Sequence, residues 1–137
     1  LHAAGVAFAF KYRDQARVSV ACVGEGGTSE GDFYEAMNVA GTWNLPVIFV
    51  VNNSMLGTIR MHQEREFNSR VIATGLTNPD FVKFADSFGM PGFRISKTEE
   101  FAPAFAKALA SKKGALIEIV LDQEVISPSK LLSQLGK

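Results

Sequence analysis

Three short runs in this sequence are apolar almost without interruption: "RVSVACV" at Arg17–Val23, "PVIFVV" at Pro46–Val51 and "ALIEIVL" at Ala115–Leu121. A strand with one face in water alternates apolar and polar residues. A strand buried on both faces does not, and such strands belong to parallel sheets covered by helices. The intervening segments supply those helices. Ala3–Tyr12 reads as a helix filled with Ala and Gly. Ser29, with Asp32 three residues on, has the form of a capping box opening a helix to about Trp43. Asn78-Pro79 starts a helix through Phe88, with Asn78 as N-cap and Pro79 in the first position. Phe93–Ile95 is a short strand, and Thr98–Ser111 a helix that tolerates Pro103 in its first turns. Helices thus alternate with strands, which predicts one α/β domain over residues 1–137, in three layers (α/β/α) around a parallel sheet.

Composition narrows the functions open to such a domain. With 14 basic and 14 acidic residues the formal charge is zero, so nothing attracts a polyanion in bulk and no nucleic-acid partner is expected. Trp43 and the 11 Phe residues read as core material, because no basic stripe accompanies them. Cys22 stands alone, which excludes a disulfide framework and a cysteine metal site; it reads as a small core residue in a reducing, cytoplasmic setting. No apolar run reaches membrane-spanning length. The chain begins without Met and enters a helix directly, as a clipped or excised chain would. Ser54–Thr77 is polar, charged and without a clean period, as expected of a functional or mobile loop. Residues 122–137 read as a loosely attached tail.

Two features lie where strands stop, and ligands in open parallel sheets bind beyond the carboxyl ends of strands. Gly24-Glu25-Gly26 follows the first run and Asn52-Asn53 closes the second. A carboxylate and an amide oxygen are hard ligands that suit magnesium or calcium, and magnesium completes its octahedron with phosphate and water. Glycines let phosphate approach the backbone N–H groups. A metal-diphosphate clamp and a pair of ordinary turns both fit these residues.

The span from Gly24-Glu25-Gly26 to Asn52-Asn53 resembles the thiamine-diphosphate signature, which begins Gly-Asp-Gly and ends Asn-Asn nearly thirty residues later. His2–Asn53, with "HAAGVAFAFKYR" and "TSEGDFYEAMNVAGTWNLPVIFVVNN", resembles the alpha subunit of the decarboxylase component of 2-oxo-acid dehydrogenase complexes, especially the pyruvate type. From Gly57 onward, "GTIRMHQERE", "NPDFVKFADSFG" and "TEEFAPAFAKALAS" resemble the C-terminal domain of acetolactate synthase-like enzymes. The seam between the two resemblances falls near Asn53, as a natural, recombined or engineered hybrid would place it.

The resemblance implies the thiamine-diphosphate-binding fold, lacking its first strand at the N-terminus. It implies Mg held by Glu25, Asn53 and the Met55 carbonyl. Gly24, Gly26, Gly27, Asn53, Met55, Gly57 and Ile59 would meet thiamine diphosphate, Gly26 and Gly27 through their N–H groups. Glu25 stands where aspartate is commoner, and its extra methylene moves the carboxylate by about 1.5 Å. The implied activity is decarboxylation of a 2-oxo acid such as pyruvate, within a homo- or hetero-oligomer whose pyrimidine-binding domain or subunit supplies the activating glutamate. No catalytic residue of this chain is assigned. His62 reads as solvent-facing or loop-packing, His2 as exposed, and Glu30, Asp32 and Glu35 as charge at a helix N-terminus. A non-catalytic assembly domain that keeps the fold without the cofactor is the alternative.

Overall fold

A computed structural model describes residues 1–127 and 130–134. In chain order the elements are α1 (His2–Tyr12), β1 (Ser19–Val23), α2 (Gly31–Thr42), β2 (Val47–Asn53), α3 (Gly57–Glu66), α4 (Phe81–Ser87), β3 (Gly92–Ile95), α5 (Phe101–Ala110), β4 (Ala115–Val120), β5 (Val125–Ser127) and β6 (Lys130–Leu131). β1 to β4 form one parallel sheet in the order β1-β2-β4-β3. The expected three-layer α/β domain is therefore present. β5 and β6 pair antiparallel as a separate ribbon; Leu132 beyond them is buried, and its N–H reaches the Glu124 carbonyl at 2.8 Å. Residues 128, 129 and 135–137 of the expected tail lie outside the described residues.

The apolar runs form the central strands because both of their faces are covered. Val47, Phe49, Val51 and Leu116 point toward α1, α2 and α4, where they meet Ala4, Ala7, Phe33, Met37 and Phe81. Ile48, Ala115 and Ile117 point the opposite way, against Ala108 of α5. Each large side chain buried here contributes roughly 1.5–3 kcal/mol relative to leaving it in water. Gly41 sets the spacing of one helical layer. A Cβ at this position would lie 2.3 Å from the Phe88 carbonyl oxygen, so only glycine lets α2 approach the end of α4 this closely.

Several local expectations are corrected. β1 starts at Ser19 and alternates in burial, with Val20 47% exposed. Cys22 is exposed as well. The cause is position: among the described residues β1 pairs only with β2, and α5 packs on β3 and β4. The capping box does not form, because Ser29 is taken up in a 3₁₀ turn over Gly27–Ser29 and Glu30 becomes the N-cap of α2 without a side-chain cap bond. Trp43 is half exposed and packs beside Phe8 on the surface; Phe67 and Phe101 are exposed too.

Asn78 does not cap α4. Asp80 does, its Oδ1 accepting from the N–H groups of Val82 at 3.1 Å and Lys83 at 3.2 Å. Both residue types cap well, and the helix begins two residues later than "NP" suggests. The Lys83 N–H, followed by the charge of Arg94, holds the Asp80 carboxyl below the usual aspartate range. A lowered folded value means stabilisation that is complete above the ordinary aspartate pKa and lost as pH falls through the lowered one. Replacing Asp80 with Ala is expected to lower the urea unfolding midpoint at pH 7, through loss of the cap and of its bond to Arg94. That difference should shrink in strongly acidic buffer, where the wild-type cap is itself protonated.

Candidate functional site

The parallel register Val23↔Val51 brings the ends of β1 and β2 to the same edge of the sheet. Beyond β1 the chain turns at once: the Gly27 N–H donates to the Gly24 carbonyl at 3.0 Å, and Thr28 Oγ1 donates to the Glu25 carbonyl at 2.8 Å. Gly27 thus spends its N–H inside the turn, whereas the Gly26 N–H has no acceptor among the described residues. Nothing lies within 4 Å of where a Cβ on Gly24 or Gly26 would stand, so the backbone there is open to approach.

Glu25 is held by the neighbouring strand end. Its Oε1 accepts from Asn52 Nδ2 at 2.7 Å. The other end of that amide, Asn52 Oδ1, is buried and has no hydrogen-bond partner among the described residues. Buried polar atoms are nearly always paired, so an orphan oxygen beside a carboxylate is a place for a donor or a cation.

Asn53 points to the opposite face, as the strand's period of two requires. Its Nδ2 donates to Glu118 Oε1, and its Oδ1 accepts from Asn78 Nδ2 at 2.9 Å. Glu118, on β4, is fully buried, and its second oxygen accepts from Arg94 Nε on β3 at 2.8 Å. Arg94 Nη2 continues to Asp80 Oδ1 at 3.0 Å. The bond and charge of Glu118 raise the pKa of the Arg94 guanidinium above its ordinary value, and Asp80 adds to the effect. Arg94 and Glu118 were not singled out from sequence, and Asn78 was read there only as a helix cap. The lone glutamate within "ALIEIVL" was the one available signal, since an ionised residue inside a fully apolar strand needs a partner.

The remaining predicted residues follow β2. Met55 is buried, and its carbonyl accepts from the Gly57 N–H at 2.7 Å. A pocket of about 200 Å³ brings together Glu25, Asn52, Met55, Gly57 and Thr58 with Leu121. Asn53 and Ile59 do not line it, and Ile59 is 49% exposed on α3. A larger cavity of about 480 Å³ runs along β1 between α1 and α2; of the predicted site residues it meets only Gly27.

Ser54–Thr77, expected to be a loop, contains α3. The helix lacks an apolar face and has no buried residue. It is held instead by pairs one turn apart: Arg60 Nε donates to Glu64 Oε1 at 2.7 Å, and His62 Nδ1 lies 3.2 Å from Glu66 Oε1. Such pairs support a helix without leaving a hydrophobic period to read. Ser69, then Arg60, holds the partly buried Glu64 carboxyl below its ordinary pKa. Downstream, Gln63 bridges both backbone groups of Ile72 at 3.0 Å, and the Leu56 N–H donates to the Thr74 carbonyl at 3.0 Å. His62 and His2 are both exposed, as expected.

Among the described residues no three His, Cys, Asp or Glu side chains gather into a metal cluster, and no helix is long and apolar enough to cross a membrane. Any cation at the strand ends would therefore rest on one carboxylate with amide and carbonyl oxygens.

Residues 2–119 match the family described as "Thiamine pyrophosphate enzyme, C-terminal TPP binding domain". A putative thiamine pyrophosphate-containing protein of Bacillus subtilis is 32% identical over 126 residues, covering 91% of this chain and 21% of the relative. The alpha subunit of 3-methyl-2-oxobutanoate dehydrogenase from Mycobacterium tuberculosis is 33% identical over 126 residues, covering 88% of this chain and 32% of the relative. Both similarities run across Asn53, since neither side of that residue is long enough to hold them. The chain spans about a fifth to a third of the length of these relatives. The crystal structure of benzoylformate decarboxylase from Polynucleobacter necessarius superposes with a TM-score of 0.76 at 22% identity, over 89% of this chain and 23% of that one.

The Gln63 bridge generates a test of how the segment after α3 is tied down. Gln63→Ala is expected to speed tryptic cleavage after Arg70 several-fold while leaving the unfolding free energy within about 0.5 kcal/mol of wild type, as for other surface changes. Unchanged cleavage would show that the bridge does not restrain the segment.

Proposed function

The chain belongs to the thiamine pyrophosphate enzymes, as a C-terminal TPP-binding domain, and we propose that it holds the diphosphate end of thiamine diphosphate through magnesium. The observation that carries this reading is the buried, unpartnered Asn52 Oδ1 beside the Glu25 carboxylate, at the mouth of a pocket on two strand ends. Hard oxygens with an open flank are what a magnesium-diphosphate pair needs. Glu25, Asn52 Oδ1 and the Met55 carbonyl line the pocket and would hold the metal there; Asn53, which the resemblance gives as a ligand, is bonded on the opposite face to Glu118 and Asn78. The open Gly26 N–H, with the backbone at Gly24, would face phosphate. Gly27 and Gly57 would shape the approach, and Ile59 would meet the cofactor from α3.

Thiamine diphosphate, when bound, supplies an electron sink for decarboxylating a 2-oxo acid such as pyruvate. What this chain contributes is binding and orientation: charge neutralisation by the metal ligands, backbone donors for the phosphates, and the apolar wall of Met55 and Leu121. The pocket's volume of about 200 Å³ is below the range usual for a drug-sized ligand. That supports a half-site completed by a pyrimidine-binding domain or subunit within an oligomer.

Calorimetric titration of the intact protein with thiamine diphosphate is expected to give binding with Mg²⁺ and little without it. Glu25→Ala should weaken binding more than about tenfold, by analogy with the loss of metal-supporting groups. Absence of binding in both conditions would overturn the reading in favour of an assembly domain. A second expectation follows from the half-site. The 137-residue chain alone should not decarboxylate pyruvate at an enzymatic rate, and steady turnover by the isolated monomer would refute that.

A further inference from the structure

The first helix has two apolar faces, and the fold covers one of them. Ala4 and Ala7 are buried in the core. Gly5, Phe8, Ala9 and Tyr12 recur at intervals of three and four on the other side, and all four are exposed. Trp43, from the end of α2, stands beside them: its ring lies 5.3 Å from that of Phe8, which lies 6.1 Å from that of Tyr12. Tyr12 is 81% exposed and Trp43 51%. A helix that is apolar all round belongs inside a structure, and clustered aromatic rings on a surface mark a contact. Gly5 adds to this. A glycine within a helix lowers stability relative to alanine, and nothing among the described residues lies within 4 Å of where its Cβ would stand. The fold does not call for glycine there, whereas a large side chain seated on it from outside would.

The charges around this face identify the occupant. α1 and α2 run side by side in the same sense. His2 lines one cavity with Glu30 and Asp32 at the start of α2, and Lys11 Nζ donates to the Trp43 carbonyl at its end, at 2.5 Å. The face is thus acidic where the helices begin and basic, through Lys11 and Arg13, where they end. A surface with opposite charges at its two ends fits its own copy turned end for end, since each acidic end then meets a basic one. Side-chain size agrees. Reversal about the point between Phe8 and Ala9 sets Tyr12 over Gly5 and Phe8 over Ala9, large against small in both pairs. We propose that this face is an interface with a second copy of the chain, the two α1 helices packing antiparallel about a two-fold axis.

The test is the mass of the intact protein by sedimentation equilibrium, with a melting curve for each variant. Wild type is expected to assemble as a dimer or a multiple of one. Gly5→Leu has room within its own chain but occupies the seat of Tyr12, so it should melt close to wild type and halve the assembled mass. Tyr12→Glu, at an exposed position, should do the same. Two charge reversals test the direction of packing. Lys11→Glu with Arg13→Glu makes both ends acidic, and Glu30→Lys with Asp32→Lys makes both basic. Each is expected to self-associate at least about tenfold more weakly. Mixed in equal amounts they should associate again, because the mixture restores opposite ends. A monomeric wild type, or Gly5→Leu and Tyr12→Glu variants that keep the wild-type mass, would overturn the interface. A mixture that stays dissociated would overturn the antiparallel pairing with a second copy.

Discussion

A carboxylate shut away from water must be matched on every side, and the buried Glu118 imposes that condition on four elements at once. Arg94 comes to it from β3, Asn53 from β2, and through these Asp80 and Asn78 from the chain entering α4. The links close into a ring, because Asn78 and Asp80 are two residues apart. Removing one member of such a set leaves a buried charge or donor without a partner, at a cost of several kcal/mol, whereas the intact set is close to neutral. The network is weak as a source of stability and strong as a constraint on geometry. It sets where β2 ends relative to β4, and it fixes the residue that reaches the strand tip.

The period of two along β2 divides the two asparagines between faces. Asn52 shares its side of the sheet with the face that α5 covers further along, and it holds Glu25. Asn53 shares its side with α1, α2 and α4, and is held by Glu118. Adjacent amides therefore do different work. One clamps a carboxylate carried by the glycine turn; the other is tied into the body of the domain. A parallel sheet makes this possible because all its strands deliver their carboxyl ends to one edge, and the polar groups needed there can follow strands that are otherwise wholly apolar.

How much of this could be read in the chain depended on whether the signal was local. The runs "PVIFVV" and "ALIEIVL" announce strands covered on both faces, and the sheet has them in its two central positions. "RVSVACV" looks the same but lies at one end of the strand order, since burial depends on neighbours that no run of seven residues reveals. α3 escaped notice because Arg60–Glu64 and His62–Glu66 sustain a helix that buries nothing. "NPD" offers two good caps, and the choice of Asp80 releases Asn78 for Asn53. At the site, the glycines, Glu25 and the asparagines were legible from their spacing and position after strands. The supporting partners were not, because Arg94 and Glu118 lie 41 and 65 residues beyond Asn53 in sequence.

Glu25 is longer by one methylene than the aspartate common in the resembled signature, and the structure suggests what that length requires. A longer carboxylate has an additional rotatable bond, so it is less well defined unless something fastens it. Asn52 does so from the neighbouring strand, at 2.7 Å. In making that bond it turns its own oxygen into a buried position with no partner among the described residues. The extra reach of Glu25 and the unpaired oxygen of Asn52 are thus two aspects of one arrangement.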